Sequence, residues 1–341
     1  MHTLISKKAP TTLTSQSGMA LLTVLIIVFL ASTLAVSMVT QHSFDIRRTD
    51  YNKNFGQGYH LGLGVEAWAL GKLHKDITTG TQGGQTDHLN ESWNDKLTLR
   101  NINNIANVDG YISDSQAKFN INNLRFEADK PPTSGNKDTK PVAAHYLYFR
   151  RLLKSLDINP DLANPIVDWV DKDSNSRFPL GAEDADYLAK KIPYRTAGRP
   201  ISRISELRLV KGVTNKIFKK LASTIIALPT NTRININTAS KKVLLGLIPD
   251  MTNSMAETII QQRLTTPFKT TKGFIAFLKL DTTKNAAVIA QLNSIVSVNS
   301  EYFIAHANIS LNRSQLTMSC LIWRDASKGV VKVYQRSRRK Q

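Results

Sequence analysis

The segment "DWVDKDSNSRFPLGAEDADYL" sets Asp168, Asp171, Asp173, Asn175, Glu183, Asp184 and Asp186 within 19 residues of an otherwise basic chain. Carboxylate and amide oxygens gathered on a loop are hard ligands, and calcium takes about 6–8 of them. Asp171, Asp173 and Asn175 match the first three ligand positions of an EF-hand loop. The match then breaks: Ser176 stands where the turn glycine belongs, the twelfth position is Ala182, and Glu183 comes one residue late. An ordinary EF-hand is not expected. Two readings remain, a calcium site of another geometry or a merely solvated acidic loop. For the first, Asp171, Asp173, Glu183 and Asp184 are the ligands of choice, with Asp168 coordinating or capping.

Other chemistry finds little footing. No metalloprotease helix motif, phosphate loop or nucleophile elbow is present. His42, His60, His74, His88, His145 and His306 are scattered. The single cysteine, Cys320, excludes an intramolecular disulfide and a multi-thiolate metal site within one chain. It lies in the alternating run "LTMSCLIWR", where a small buried core residue is expected rather than a nucleophile. The formal net charge of +19 fits contact with phosphates, anionic headgroups or acidic proteins, and its sign alone does not choose among them.

At 341 residues with 41% hydrophobic content the chain has room for two folded domains. From Met19 to Val39 it runs 21 residues without a charge, and a helix of that length covers roughly 30 Å, the thickness of a bilayer core. Lys7 and Lys8 before the run predict a cytoplasmic amino terminus. The run is longer than the apolar region of an ordinary secretory signal. Phe44, Tyr51, Phe55, Tyr59, Leu63, Trp68 and Leu73 continue a helical spacing, so the helix is expected to extend beyond the membrane as a stem.

Beyond it, "TTGTQGGQTDHLN" reads as a loop, and "NVDGYISDSQAKFNIN" as strand material with a turn at its "DG". "EADKPPTSGNKDTKP" reads as a linker. Residues from about 142 to 294 are helical in pattern, and "EYFIAHANISLNRSQLTMSCLIWRDASKGVVKVYQRSRR" alternates as three antiparallel strands. The terminal "RSRRKQ" reads as a solvated tail. Three segments, beginning at Phe149, Ile204 and Lys241, share a helix, a tight turn and a second helix, which is similar to helix-hairpin-helix units. Many such units grip DNA phosphates through backbone N–H groups. Here Asp157, Asp161 and Asp250 put negative charge at the hairpins, which favours packing units over DNA clamps.

Gly18-Met19 followed by "ALLTVLIIVFLA" resembles the prepilin signature, in which a prepilin peptidase cuts after the glycine and methylates the new amino terminus. "GVEAWAL", "AKFNINNL", "DWVDKDSNSRFPLGAEDADYL" and "RININTAS" stand in the order and spacing of the type II secretion system minor pseudopilin K family. That resemblance spans Gly18 to about Arg338. It implies a nonenzymatic, single-pass inner-membrane protein with a periplasmic head, placed at the tip of the pseudopilus with minor pseudopilins I and J, where it starts or caps assembly for protein export. It also implies calcium in the helical domain. Thr23, at the fifth mature position where most pilins carry glutamate, fits this subunit.

The expected fold is α+β and type IV pilin-like: a leader at 1–18, a transmembrane and stem helix at 19–77, and a first sheet portion at 78–125. An inserted all-α domain with helix-hairpin-helix-like repeats follows at 126–297, then a second sheet portion and basic tail at 298–341. The rival function is a membrane-tethered periplasmic DNA receptor, and nucleic acid is not the expected partner.

Overall fold

The structure is a computed structural model that describes residues 17–79, 86–102, 104–128, 144–312 and 314–340. Most of the expected leader, the centre of the glycine- and threonine-rich loop at 80–85, and most of the linker, 129–143, lie outside the described residues. The chain divides into two units, residues 1–57 and 58–341.

Helix α1 (Ser17–Thr79) is 63 residues long and supplies the described part of the first unit. Among the described residues it is the helix long and apolar enough to cross a membrane. Its apolar side chains from Met19 to Val39 are exposed, as a lipid- or partner-facing surface requires. Hydroxyls inside the run are satisfied by their own helix: Thr23 Oγ1 donates to the Met19 and Ala20 carbonyls at 3.1 and 2.9 Å, and Thr33 Oγ1 to that of Leu30.

In the second unit the end of α1 is followed by strands β1 (Leu97–Ile102), β2 (Ala106–Asp114) and β3 (Phe119–Asn120), then helices α2 (Asn123–Ala128), α3 (Ala144–Ser155), α4 (Ala163–Val170), α5 (Asp184–Leu188) and α6 (Asn215–Leu221). Next come β4 (Ile225–Ile226), β5 (Ile234–Asn235), α7 (Lys241–Leu244), α8 (Asn253–Thr265), α9 (Thr271–Phe277), α10 (Ala286–Ile295) and β6 (Val296–Ser297). The chain closes with β7 (Tyr302–Leu311), β8 (Ser314–Asp325) and β9 (Val330–Lys340). One antiparallel five-stranded sheet has the order β1-β2-β7-β8-β9. β2 and β7 are direct neighbours, Asp114 facing Phe303, so the helical block leaves and re-enters the sheet between paired strands. Inside the block β3 pairs with β4 and β5 with β6, both parallel and two residues long.

The helical block has its own core. Tyr148, Phe149, Leu152 and Leu153 of α3 pack with Ile166 and Val170 of α4, Val243 and Leu244 of α7, and Ile259 of α8, all buried. Each expected hairpin does join two helical pieces, but the first pieces differ: an α-helix at α3, a 3-10 helix at Ile204–Leu209, and the four residues of α7. Gly212 adopts φ +84°, and a Cβ there would come within 2.8 Å of Leu162 Cδ1. Turn conformation and packing together account for that hairpin glycine.

The helix continues beyond the apolar run as the spacing of the stripe predicts, and from residue 58 onward it buries Gly58, Gly62, Val65, Glu66, Ala69, Leu73 and Asp76, while Tyr59 and Trp68 of the stripe are half-buried. Small residues let the helix axis approach the sheet, and a Cβ on Gly62 would sit 2.9 Å from Met318 Sδ. Two other expectations are corrected. Asp109-Gly110 is no turn. Both lie within β2, Gly110 opposite Leu97 and Ala307, and a Cβ there would meet Val65 Cγ1 at 2.7 Å. The terminal basic run is not a solvated tail either, because residues 336–340 belong to β9. Arg336 reaches back to the buried Glu66 through two hydrogen bonds of 2.7 and 2.8 Å, and Arg338 lies over the Tyr59 ring. The Arg336 hydrogen bonds hold the Glu66 carboxyl below its ordinary range, although burial opposes them. Cys320 is a buried core residue as expected, its thiol donating to Glu66 and pushed up to about 12 by burial and that carboxylate.

A second charge network closes the end of α1 onto the sheet. Arg324 of β8 is 1% exposed and donates to Asp76 of α1 at 2.6 Å, to both oxygens of Asp87 at 2.5 Å and to the Ser300 carbonyl at 2.8 Å. Removing one partner of such a buried pair leaves an uncompensated charge and costs about 3–5 kcal/mol. Arg324→Met is therefore expected to lower unfolding free energy by about that amount in urea titrations monitored by tryptophan fluorescence.

Candidate metal centre

The acidic segment is built on the end of α4. That helix is buried along its length and stops at Asp171, whose N–H donates to the Val167 carbonyl at 2.9 Å before the backbone turns extended. One turn earlier, Asp168 Oδ2 accepts from the backbone N–H groups of Arg177 at 3.1 Å and Ala182 at 2.9 Å. Asp168 thereby closes the neck of the loop. Gly181 is required at that neck, because a Cβ would lie 2.5 Å from Asp168 Oδ2 and 2.1 Å from the Arg177 carbonyl oxygen. Asp173 Oδ1 caps the turn by accepting from Asn175 N at 2.9 Å. The chain returns at Glu183, immediately before α5.

Asp171, Asp173 and Glu183 each offer an oxygen within 4.8 Å of the others. Both carboxylate oxygens of Asp171, Oδ1 of Asp168 and Oε1 of Glu183 are buried without a hydrogen-bond partner. Buried carboxylates normally find donors. Here Asp168 Oδ1 and Asp171 Oδ2 face the Arg177 guanidinium at 3.4 and 3.6 Å, and the oxygens of Asp171 and Glu183 share a cluster with Asp173, which leaves negative charge under-compensated. Burial pushes Glu183 up to about 7, with the charges of Asp168, Asp171, Asp173 and Asp184 adding to it. Asp171 is pushed up to about 6 by burial and then by Asp173, against the pull of Arg177. Burial also raises Asp168, against its two backbone donors. The arrangement fits a hard divalent cation, which would supply the missing bonds and charge.

Of the residues chosen from sequence, Asp171, Asp173 and Glu183 come together, with Asp168 beside them. Asp184 is engaged elsewhere: its Oδ1 accepts from Thr196 N and Oγ1 at 2.9 Å each, and Thr196 holds its carboxyl below the usual range. Asp186 pairs with Lys211 at 2.7 Å, and Asn175 is exposed. Sequence reasoning missed Arg177, whose guanidinium lies 3.4 Å from Asp168 and 3.6 Å from Asp171. Its place inside an acidic loop was the available signal. At the other end of the chain, the helical α1 backbone includes Gly18 and Met19, and Met19 is exposed.

Comparisons with known proteins bear on the family of the chain. Residues 117–230 and 234–295 match two family descriptions of "Type II secretion system (T2SS), protein K". A type II secretion system protein K of Pectobacterium carotovorum is 34% identical over 257 residues, covering 73% of this chain and 75% of that one. The chain belongs to the type II secretion system protein K family. The Pseudomonas aeruginosa protein K is 29% identical across 90% of this chain and 88% of its own length. A solved chain from the GspK-GspI-GspJ complex of the enterotoxigenic Escherichia coli type 2 secretion system superposes with a TM-score of 0.72 at 26% identity. It covers 86% of this chain and 100% of the solved one. The minor-pseudopilin role implied by the resemblance therefore stands, and the DNA-receptor alternative gains no support. A secretion-component family is not an enzyme family.

Raised carboxyl pKa values favour the folded state when protonated. Their stabilisation is present below the unfolded values near 4 and is lost as pH rises through about 6 for Asp171 and about 7 for Glu183. In a chelator, unfolding free energy is expected to fall between about pH 4 and 7. Glu183→Gln should make that slope shallower, as read from urea titrations at each pH.

Proposed function

We propose that this chain acts at the tip of the pseudopilus, in complex with minor pseudopilins I and J, and that it starts or caps pseudopilus assembly for protein export. The supporting observation is the superposition over 86% of the chain on a subunit solved within a GspK-GspI-GspJ complex. The protein is anchored in the inner membrane by the apolar part of α1. Lys7 and Lys8 keep its amino terminus cytoplasmic, and the remainder is periplasmic. A prepilin peptidase cuts between Gly18 and Met19, and Met19 becomes the methylated amino terminus. The protein performs no catalysis. Co-purification of the full chain with I and J in detergent is the test, and a chain that elutes alone would remove the partner reading.

Thr23 suits a first subunit. In a packed stem bundle, an unpaired carboxylate costs several kcal/mol unless a neighbour's positive amino terminus meets it. A subunit with no predecessor has no such neighbour, and the Thr23 hydroxyl is already satisfied by its own helix. Thr23→Glu is expected to leave membrane insertion intact and to lower secretion of an exported reporter. Unchanged secretion would count against the idea.

Calcium is the cation proposed for Asp171, Asp173 and Glu183, with Asp168 adjoining and Asp184 set aside as a ligand by its bonds to Thr196. Bound calcium would neutralise the loop and hold α4 to the start of α5. Millimolar calcium is expected to raise the melting midpoint of the chain by several degrees, since ligand at about 100 times its Kd adds about 2.7 kcal/mol. Asp171→Asn should abolish the shift in differential scanning fluorimetry.

A further inference from the structure

The sheet has a second face. Leu316, Met318 and Cys320 of β8 turn toward α1, where they meet Gly58, Gly62 and Glu66. The alternate residues Ser319 and Leu321 therefore point the other way. There, together with β7, β9 and the helical block, they enclose a groove of about 390 Å³. Ile304 and Leu321 line it from the sheet, and Ile225 and Leu228 from the block.

Two cations, Lys118 and Arg203, line this groove, and among the described residues no acidic one does. Lys118 is half-buried, and its ammonium has no hydrogen bond or ion pair among the described residues. Burial alone pushes that ammonium below the ordinary lysine range. An ion removed from water without a partner is costly, so its place in an apolar groove calls for an anion from outside the chain. Gln335 and Ser337, also in the lining, belong to β9. Among the described residues β9 is the edge of the sheet and pairs with β8 alone, leaving main-chain donors and acceptors for an added strand. Every charged residue of β9 is basic.

We propose that the groove docks an extended acidic segment of a partner subunit, with an Asp or Glu carboxylate paired to Lys118 and its backbone running along β9. The inference rests on the partnership with I and J and names where one of them seats. Apolar residues two positions from the acid, on the same face of the extended segment, would cover Ile225, Leu228, Ile304 and Leu321.

The test uses the full chain in detergent with full-length I and J from the same secretion system. Lys118→Glu is expected to weaken complex formation about tenfold or more by biolayer interferometry. Lys118→Met, which removes the buried charge and has no reason to impair folding, should weaken it severalfold at an unchanged or higher melting midpoint. Carbodiimide, which joins an amine to a carboxylate it touches, should link Lys118 to an Asp or Glu of I or J. If the complex forms and both variants bind as wild type does, this docking site falls and the partnership stands. If wild type forms no complex, the partnership falls and the docking site with it. A fatty acid retained by wild type and lost from Lys118→Met in native mass spectrometry, with complex formation untouched, would also overturn the proposal in favour of a lipid ligand.

Discussion

A guanidinium that is 1% exposed has to be neutralised where it lies, and Arg324 sets that demand at the junction of three parts of the molecule. Asp76 comes from α1, Asp87 from the segment that follows it, and Arg324 itself from β8. Burial works against the arginine's charge, but Asp87, Asp76 and Asp114 around it hold the guanidinium protonated. Burial pushes Asp87 up to about 7 in return. Asp114 extends the network, its Oδ2 accepting from Thr238 Oγ1, Ser300 Oγ and Asn235 Nδ2. Helix, sheet and helical block thus share one set of buried polar contacts, so an error in any of them leaves a charge or donor unsatisfied.

Asparagine does similar work between the block and its surroundings. Asn122 donates to the Ile201 and Leu228 carbonyls and accepts from Ile201 N; Asn120 accepts from Leu228 N; and Asn123 exchanges hydrogen bonds with the Thr232 backbone. Asn237 exchanges hydrogen bonds with the Phe268 backbone in the same way. A primary amide offers a donor and an acceptor side by side, as a peptide group does, and can pair with a loop backbone that has no strand beside it. The "FNINN" and "NINTAS" runs, legible as family signatures, have this physical content: irregular chain is held in place where regular ladders are only two residues long.

The acidic loop is the electrostatic opposite of the rest of the chain. Against a formal charge of +19, it sets Asp168 and Asp171 beside the Arg177 guanidinium and brings Asp173 and Glu183 close to Asp171. The covalent frame explains how they come together. Asp168 grips the loop neck through two N–H groups, Gly181 permits the close approach, and the loop then brings Glu183 back beside the end of α4. Surplus negative charge held close by backbone geometry raises the carboxyls' hold on their protons, and a cation would relieve the same repulsion.

What sequence determined by itself was whatever depends on neighbours along the chain: the uncharged span, the strand alternation at the carboxyl end, the helical block between, and the acidic run. These are periodicities and compositions, and local residues suffice to express them. Tertiary structure decided which residues meet. Glu66 finds Arg336 270 positions away, β2 pairs with β7 across the whole helical block, and Gly110 stands in mid-strand where a Cβ would strike Val65 of α1. In the acidic loop, composition could not separate Asp184 from Glu183, since both are carboxylates on adjacent residues. The fold separated them, turning one toward Thr196 and the other inward, because successive side chains at a helix start point in different directions and only the surrounding backbone says which direction is inside.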